Sequence, residues 1–168
     1  YLGAWFNSYG LVALKPEMNA WLGSLRKLRL KPNQKLYLLK VHLLPRLMHR
    51  AMFSPINAKE LRNLDRLIRK FLVGGSSFLH LPKSTPIAFL HSAVDSGGLG
   101  VMSFRATIPS LVVQRYGQLT MSENPVIAAC ARDISGVNRE SKALKLLLKL
   151  EDGEVALGVE RVRKYWHE

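Results

Sequence analysis

Between Pro32 and Leu72 the chain is written in helical periods punctuated by prolines, and this stretch constrains the fold most. Tyr37, Val41, Leu44, Met48 and Met52 are spaced 4, 3, 4 and 4, with Leu36, Leu39, Leu43 and Leu47 beside them. That spacing predicts one helix over about residues 32 to 53 with a broad buried face. Pro32 suits its first position. Pro45 lies inside the pattern and has no N–H for the carbonyl of Val41, so a kink or break is expected there. Asn57 with Glu60 three residues on resembles a capping box and opens a helix to about Leu72, which Gly74-Gly75-Ser76-Ser77 ends. On that helix Leu61, Leu64, Ile68 and Phe71 oppose a row of cations: Lys59, Arg62, Arg66 and Arg69.

Upstream, Tyr1 to Phe6 followed by Asn7-Ser8-Tyr9-Gly10 reads as a short strand ending in a turn. Pro16 then opens a first helix on which Met18, Trp21, Leu22, Leu25 and Leu28 are helically spaced, with Arg26, Lys27 and Arg29 at its end. Positive charge there also complements the backbone dipole, so capping and ligand binding are both open roles for this cluster. Downstream, Leu81 to Pro86 is a loop ending in a helix start, with Thr85 as the N-cap and Pro86 first in the helix. The glycines of Asp95 to Gly100 allow a turn with positive φ. Three helical pieces follow: Arg105 to Leu119, Val126 to Ile134 and Glu140 to Leu150, the last with Leu144, Leu147, Leu148 and Leu150 as its apolar side. Glu160 to Glu168 reads as a short docking helix. The expected fold is mainly α: a strand and turn over residues 1–16, a three-helix basic bundle over 17–78, and a smaller helical connector over 79–168.

Charge gives the first functional direction. Lys and Arg outnumber Asp and Glu by 25 to 12, a formal net charge of +13, which points to a polyanionic partner. Residues 1 to 80 hold 14 of the cations against Glu17, Glu60 and Asp65, whereas residues 81 to 168 hold 11 against 9 acids. At about 100° per residue Lys31, Lys35, His42, Arg46 and His49 fall within an arc of about 60°, with Arg50 at its edge. Two helices therefore carry cationic stripes with almost no interleaved acid, which favours phosphate binding over a merely solvated face. Aromatic residues are not interleaved with the stripes, so a duplex gripped along its backbone is expected rather than single strands.

Catalytic constellations are missing. No phosphate loop, nucleophile elbow or His-Glu-x-x-His occurs, and the glycines from Gly97 to Gly100 lack dinucleotide-loop spacing. His42 and His49, seven apart without a nearby carboxylate or thiol, extend the cationic stripe better than they bind metal. Cys130, the one cysteine, permits no intrachain disulfide and lies in an apolar-leaning helix, where a buried inert thiol is expected. No apolar run approaches the roughly 20 residues of a membrane span and no signal sequence opens the chain, so a soluble protein with no membrane partner is expected. The first residue is Tyr1 rather than Met, as in an excerpt of a longer polypeptide.

Tyr1-Leu2-Gly3, Leu30-Lys31-Pro32-x-x-Lys35-x-x-Leu38, Leu44-Pro45-Arg46-Leu47-x-His49 and Leu64-Asp65-x-x-Ile68-Arg69-Lys70 together resemble the region after the polymerase palm in non-LTR retrotransposon reverse transcriptases. Leu81-Pro82-x-x-Thr85-Pro86-x-x-Phe89 and Gly97-Gly98-Leu99-Gly100-Val101 are similar to the same proteins further along, especially the class that inserts into ribosomal DNA. The resemblance covers about residues 1 to 105. It implies a thumb made of the three basic helices, with Tyr1-Leu2-Gly3 as the strand joining palm to thumb. A connector would follow, leading towards a zinc knuckle and an endonuclease. It further implies a nuclear setting, a parent RNA-directed DNA polymerase that uses Mg, and partners comprising template-primer duplex, element RNA, target DNA and the rest of the polymerase chain. The candidate nucleic-acid contacts are then Arg26, Lys27, Arg29, Lys31, Lys35, His42, Arg46, His49, Arg50, Lys59, Arg62, Arg66 and Arg69. The polymerase aspartates, the zinc knuckle and the endonuclease carboxylates are absent from these residues, so no catalytic residue or cofactor is expected in the segment itself. The competing readings are a basic helical module for acidic protein or anionic lipid, and an intact enzyme of unknown type.

Overall fold

A computed structural model describes residues 6–7, 10–11, 14–52, 57–74, 77, 79–135 and 139–147. Its described part is mainly helical, and it divides into two compact units: Tyr1–Ser54 with Lys59–Phe104, and Pro55–Ala58 with Arg105–Glu168. The expected docking helix over Glu160 to Glu168 and the strand residues Tyr1 to Trp5 lie outside the described residues.

The first unit opens with two short antiparallel strands, β1 (Phe6–Asn7) and β2 (Gly10–Leu11), paired Phe6 with Leu11 and Asn7 with Gly10. Helix α1 (Leu14–Lys27) begins two residues earlier than Pro16 implies. A proline in the first turn needs no N–H partner, so it is tolerated there without marking the start. Leu14, Met18, Leu22 and Leu25 form its buried seam. Leu28, past the end of the helix, is exposed.

The next helical run is unbroken but not uniform. It comprises α2 (Pro32–Leu38), a π-helical turn (Leu39–Leu43) and α3 (Leu44–Ala51). Pro45 therefore produces neither a break nor a simple kink. The N–H of Leu44 bonds to the carbonyl of Leu39, five residues back, so the helix has already widened one residue before the proline ring would crowd the Val41 carbonyl. Packing asks for the same widening. The buried residues are Lys35, Leu39, Leu44, Leu47, Arg50 and Ala51, and the five-residue step from Leu39 to Leu44 is one that a regular helix would place on different faces. Tyr37 and Val41, expected on the buried face, are each two residues from buried Leu39 and so lie across the helix from it, 59% and 47% exposed.

Helix α4 (Ala58–Leu72) follows the sequence expectation closely, starting just after Asn57 and burying Leu61, Leu64, Ile68, Phe71 and Leu72. Past its end Val73 bridges Leu81, and Gly74, at φ +111°, donates its N–H to the Leu81 carbonyl at 3.0 Å. Thr85 is not an N-cap. Helix α5 (Ile87–His91) is preceded by Pro86 in an extended conformation, and the Thr85 hydroxyl donates back to the Pro82 carbonyl at 2.6 Å. A glycine turn then folds the chain onto α5: Leu99 and Val101 donate to the carbonyls of Phe89 and Leu90, both at 2.9 Å. Gly97 and Gly100 have φ of +78° and +63°, and a Cβ on Gly98 would lie 2.4 Å from the Ser92 carbonyl oxygen, so each position needs glycine.

Asp65 anchors the end of this unit. Its carboxylate accepts the Phe104 N–H at 2.7 Å and the Ser103 hydroxyl at 2.9 Å, capping the start of α6 (Phe104–Thr120) from a distance in sequence that no local motif reveals. In the second unit α6 continues with Ala106, Ile108 and Leu111 buried. Helix α7 (Pro125–Ser135) is capped by Asn124, whose Oδ1 accepts the N–H groups of Val126 at 2.9 Å and Ile127 at 3.4 Å. In α8 (Arg139–Leu147) Ala143 is buried, Leu144 is exposed and Leu147 is half-buried; Leu148 and Leu150 fall outside the described residues. Cys130 on α7 is exposed, contrary to the buried thiol expected from its apolar neighbours. Val126 and Ile127 are exposed with it, so the apolar character of α7 does not mark a buried face here.

Candidate nucleic-acid interface

The candidate cations fall into three exposed groups and two inward-turned exceptions. At the end of α1 and in the link to α2, Arg26, Lys27, Arg29 and Lys31 are all exposed. The guanidinium of Arg26 sits 5.8 Å from the Phe71 ring centroid, a cation–π contact that orients it against the end of α4. On the helical run, His42, Arg46 and His49 are exposed and follow one another at helical spacing. On α4, Lys59, Arg62 and Arg66 are exposed, while Arg69 is half-buried with Nη2 donating to the Thr85 carbonyl at 3.5 Å.

Lys35 and Arg50 do not join these groups. Lys35 is buried, and its Nζ donates to the Arg26 carbonyl at 2.9 Å, tying the start of α2 to the end of α1. Arg50 is 4% exposed and ion-paired to Glu17 of α1, which locks α1 to α3. Regular 100° spacing placed both on the cationic stripe. The widened turn and the need of the Arg26 carbonyl for a donor pull them inside.

The acids of the basic half are as informative as its cations. Glu17 pairs with Arg50, Asp65 caps α6, and Glu60, in the first turn of α4 where a negative charge suits the helix dipole, is the exposed one of the three. Of the three acids in residues 1 to 80, only Glu60 stands exposed beside the exposed cations. Among the described residues no three His, Cys, Asp or Glu side chains gather into a group able to hold a metal ion. No helix among them is long and apolar enough to cross a membrane.

Sequence reasoning missed two aromatic members of this surface. Tyr37 meets His42 edge-on, with ring centroids 6.0 Å apart and planes at 70°. In a regular α-helix residues five apart are separated by about 140°, whereas the π-turn brings them onto one side. Arg46 lies over the half-buried Trp21 ring of α1 at 5.2 Å from its centroid. The signal available in the sequence was Pro45, four residues after Val41, combined with the five-residue gap between Leu39 and Leu44.

No protein-family model matches the chain. Searches of curated proteins do find relatives. The chain is 40% identical over 122 residues, 71% of its length, to a retrovirus-related Pol polyprotein from the type-1 retrotransposable element R2 of Popillia japonica. It is 34% identical over 73% of its length to the corresponding R2 polyprotein of Nasonia vitripennis. To the Pol polyprotein of the type-2 element R2DM of Drosophila melanogaster it is 32% identical over 99% of its length. The chain spans 19%, 12% and 15% of the lengths of these three relatives. Mainly helical, and 32% to 40% identical to these relatives over 71% to 99% of its length, this chain belongs to the R2-type non-LTR retrotransposon Pol polyproteins.

Proposed function

We propose that this segment is the thumb and connector of an R2-type RNA-directed DNA polymerase, and that it grips the template-primer duplex by its phosphates without contributing catalytic residues. The observation that carries the reading is the exposed cationic face of α4, Lys59, Arg62 and Arg66, in a unit where Glu17 and Asp65 are engaged by internal partners. Guanidinium and ammonium groups along one helix face displace counterions from a nucleic-acid backbone and position it without reading its sequence. The exposed cations from Arg26 to Lys31 and from His42 to His49 extend the contact. Element RNA, target DNA and the remainder of the polymerase chain are the other partners in this reading, and the work is nuclear. In this reading the Mg ions of the parent enzyme are held outside this segment.

Titration of the chain against an RNA–DNA hybrid over a series of salt concentrations tests the reading. Affinity is expected to fall on a log–log plot by about 0.9 per phosphate contacted, taking B-DNA as a guide. Replacing Arg62→Ala and Arg66→Ala together should flatten the slope by up to about 1.8. Both side chains are exposed, so the thermal melt should stay in place. An unchanged slope removes the α4 face from the interface. Retention on anionic vesicles with no hybrid binding would transfer these cations to a lipid surface.

A further inference from the structure

The outward face of the helical run holds more than charge. Tyr37 is 59% exposed and Val41 is 47% exposed, on the same side as exposed His42 and Arg46. An aromatic ring and a branched aliphatic side chain left in water forgo the burial energy that a partner covering them would supply. The π-turn adds His42 to that side, bringing it beside Tyr37. A ring–ring pair and a cation–π pair lie along this side: Tyr37 edge-on to His42, and Arg46 above Trp21. Cations that supply donors, set beside an open aromatic ring, make up the chemistry that holds unpaired nucleotides, with phosphates on the cations and a base on the ring. A continuous duplex has no base face to offer, because its bases are stacked on one another.

We infer that the Tyr37, Val41 and His42 face, continued by Arg46, is a track for single-stranded nucleic acid in which a base stacks on the Tyr37 ring. The inference rests on the nucleic-acid reading given above, shares His42 and Arg46 with it, and adds the Tyr37 ring and a different ligand state. Charge complementarity and the exposed ring together select this occupant over an acidic protein segment, which would answer the cations and leave the ring without a stacking partner.

The test uses the whole chain and two fluorescent probes: an oligonucleotide of about 12 nucleotides without secondary structure, within the span such tracks accommodate, and a blunt RNA–DNA hybrid. Tyr37→Ala is expected to weaken oligonucleotide binding about tenfold, as removal of one stacking platform does, and to leave hybrid affinity within about twofold. Tyr37→Phe, which keeps the ring, should bind like the unaltered chain. The loss should appear with thymidine and uridine oligomers alike, because a ring face and not a sugar is recognised. A 2-aminopurine placed in the oligomer should lose fluorescence on binding the unaltered chain and the Phe variant and keep it with the Ala variant. Unchanged oligonucleotide affinity in Tyr37→Ala, an equal loss on both probes, or a loss confined to one sugar would overturn the inference. The α4 double variant separates the two proposals: it should weaken the hybrid arm and spare the dependence of the oligonucleotide arm on Tyr37. Failure of one arm therefore leaves the other readable.

Discussion

At the scale of single residues, the pairing of Arg50 with Glu17 ties α3 to α1 within the first unit. A guanidinium 4% exposed needs a counter-charge, and Glu17 of α1 supplies it to α3. Glu17→Ala would leave that charge uncompensated, and the unfolding free energy is expected to fall by about 3 kcal/mol in denaturant titration. Replacing Arg50→Met together with Glu17→Met should cost far less, because two apolar side chains can fill the same space. If the single variant loses no more stability than the double one, the pair is ornamental. None of this was legible beforehand. A cation at the edge of a helical stripe looks the same in sequence whether it reaches water or an acid 33 positions away. Lys35 is the parallel case, its inward turn dictated by a carbonyl at the end of the preceding helix.

At the scale of elements, what the periodic pattern could and could not tell depends on whether the helix is regular. On α4 the apolar and cationic rows predicted from 3.6-residue spacing are the buried and exposed rows observed, and α6, α7 and α8 begin and end within a few residues of expectation. Thr85 failed as a cap because Pro86 stays extended and the hydroxyl finds a nearer acceptor at Pro82. The run from Pro32 to Ala51 misled the same arithmetic because one extra residue enters at Leu39–Leu43, and every face beyond it is rotated. Two causes coincide there, the proline and the five-residue step of the buried seam, and they can be separated. Pro45→Ala restores a donor for the Val41 carbonyl but leaves Leu39 and Leu44 both needing burial, at 0% and 1% exposure. Packing should prevail, since exposing either leucine costs roughly 1.5–3 kcal/mol against about 1 kcal/mol for one backbone hydrogen bond. The expected result is a retained nuclear Overhauser contact between the Tyr37 and His42 rings. Its disappearance would make the proline the sole cause.

At the scale of the whole molecule, cations are concentrated in residues 1 to 80, which hold 14 Lys and Arg against 3 acids, and the remainder is nearly balanced. The two units should then contribute unequally to binding. Replacing the exposed Lys142→Ala and Lys145→Ala on α8 should leave the salt slope for an RNA–DNA hybrid within about 0.3 of its original value, well below the change expected for two lost phosphate contacts. A comparable flattening would mean that the second unit shares the grip. With Glu17 and Asp65 engaged internally, exposed cations outnumber exposed acids on the described part of the first unit. Identical copies carrying such an excess repel one another at low ionic strength, and a long polyanion relieves that repulsion by lying between them. Crowding of several copies along one strand then becomes a property of the ligand's length rather than of any contact built into the protein.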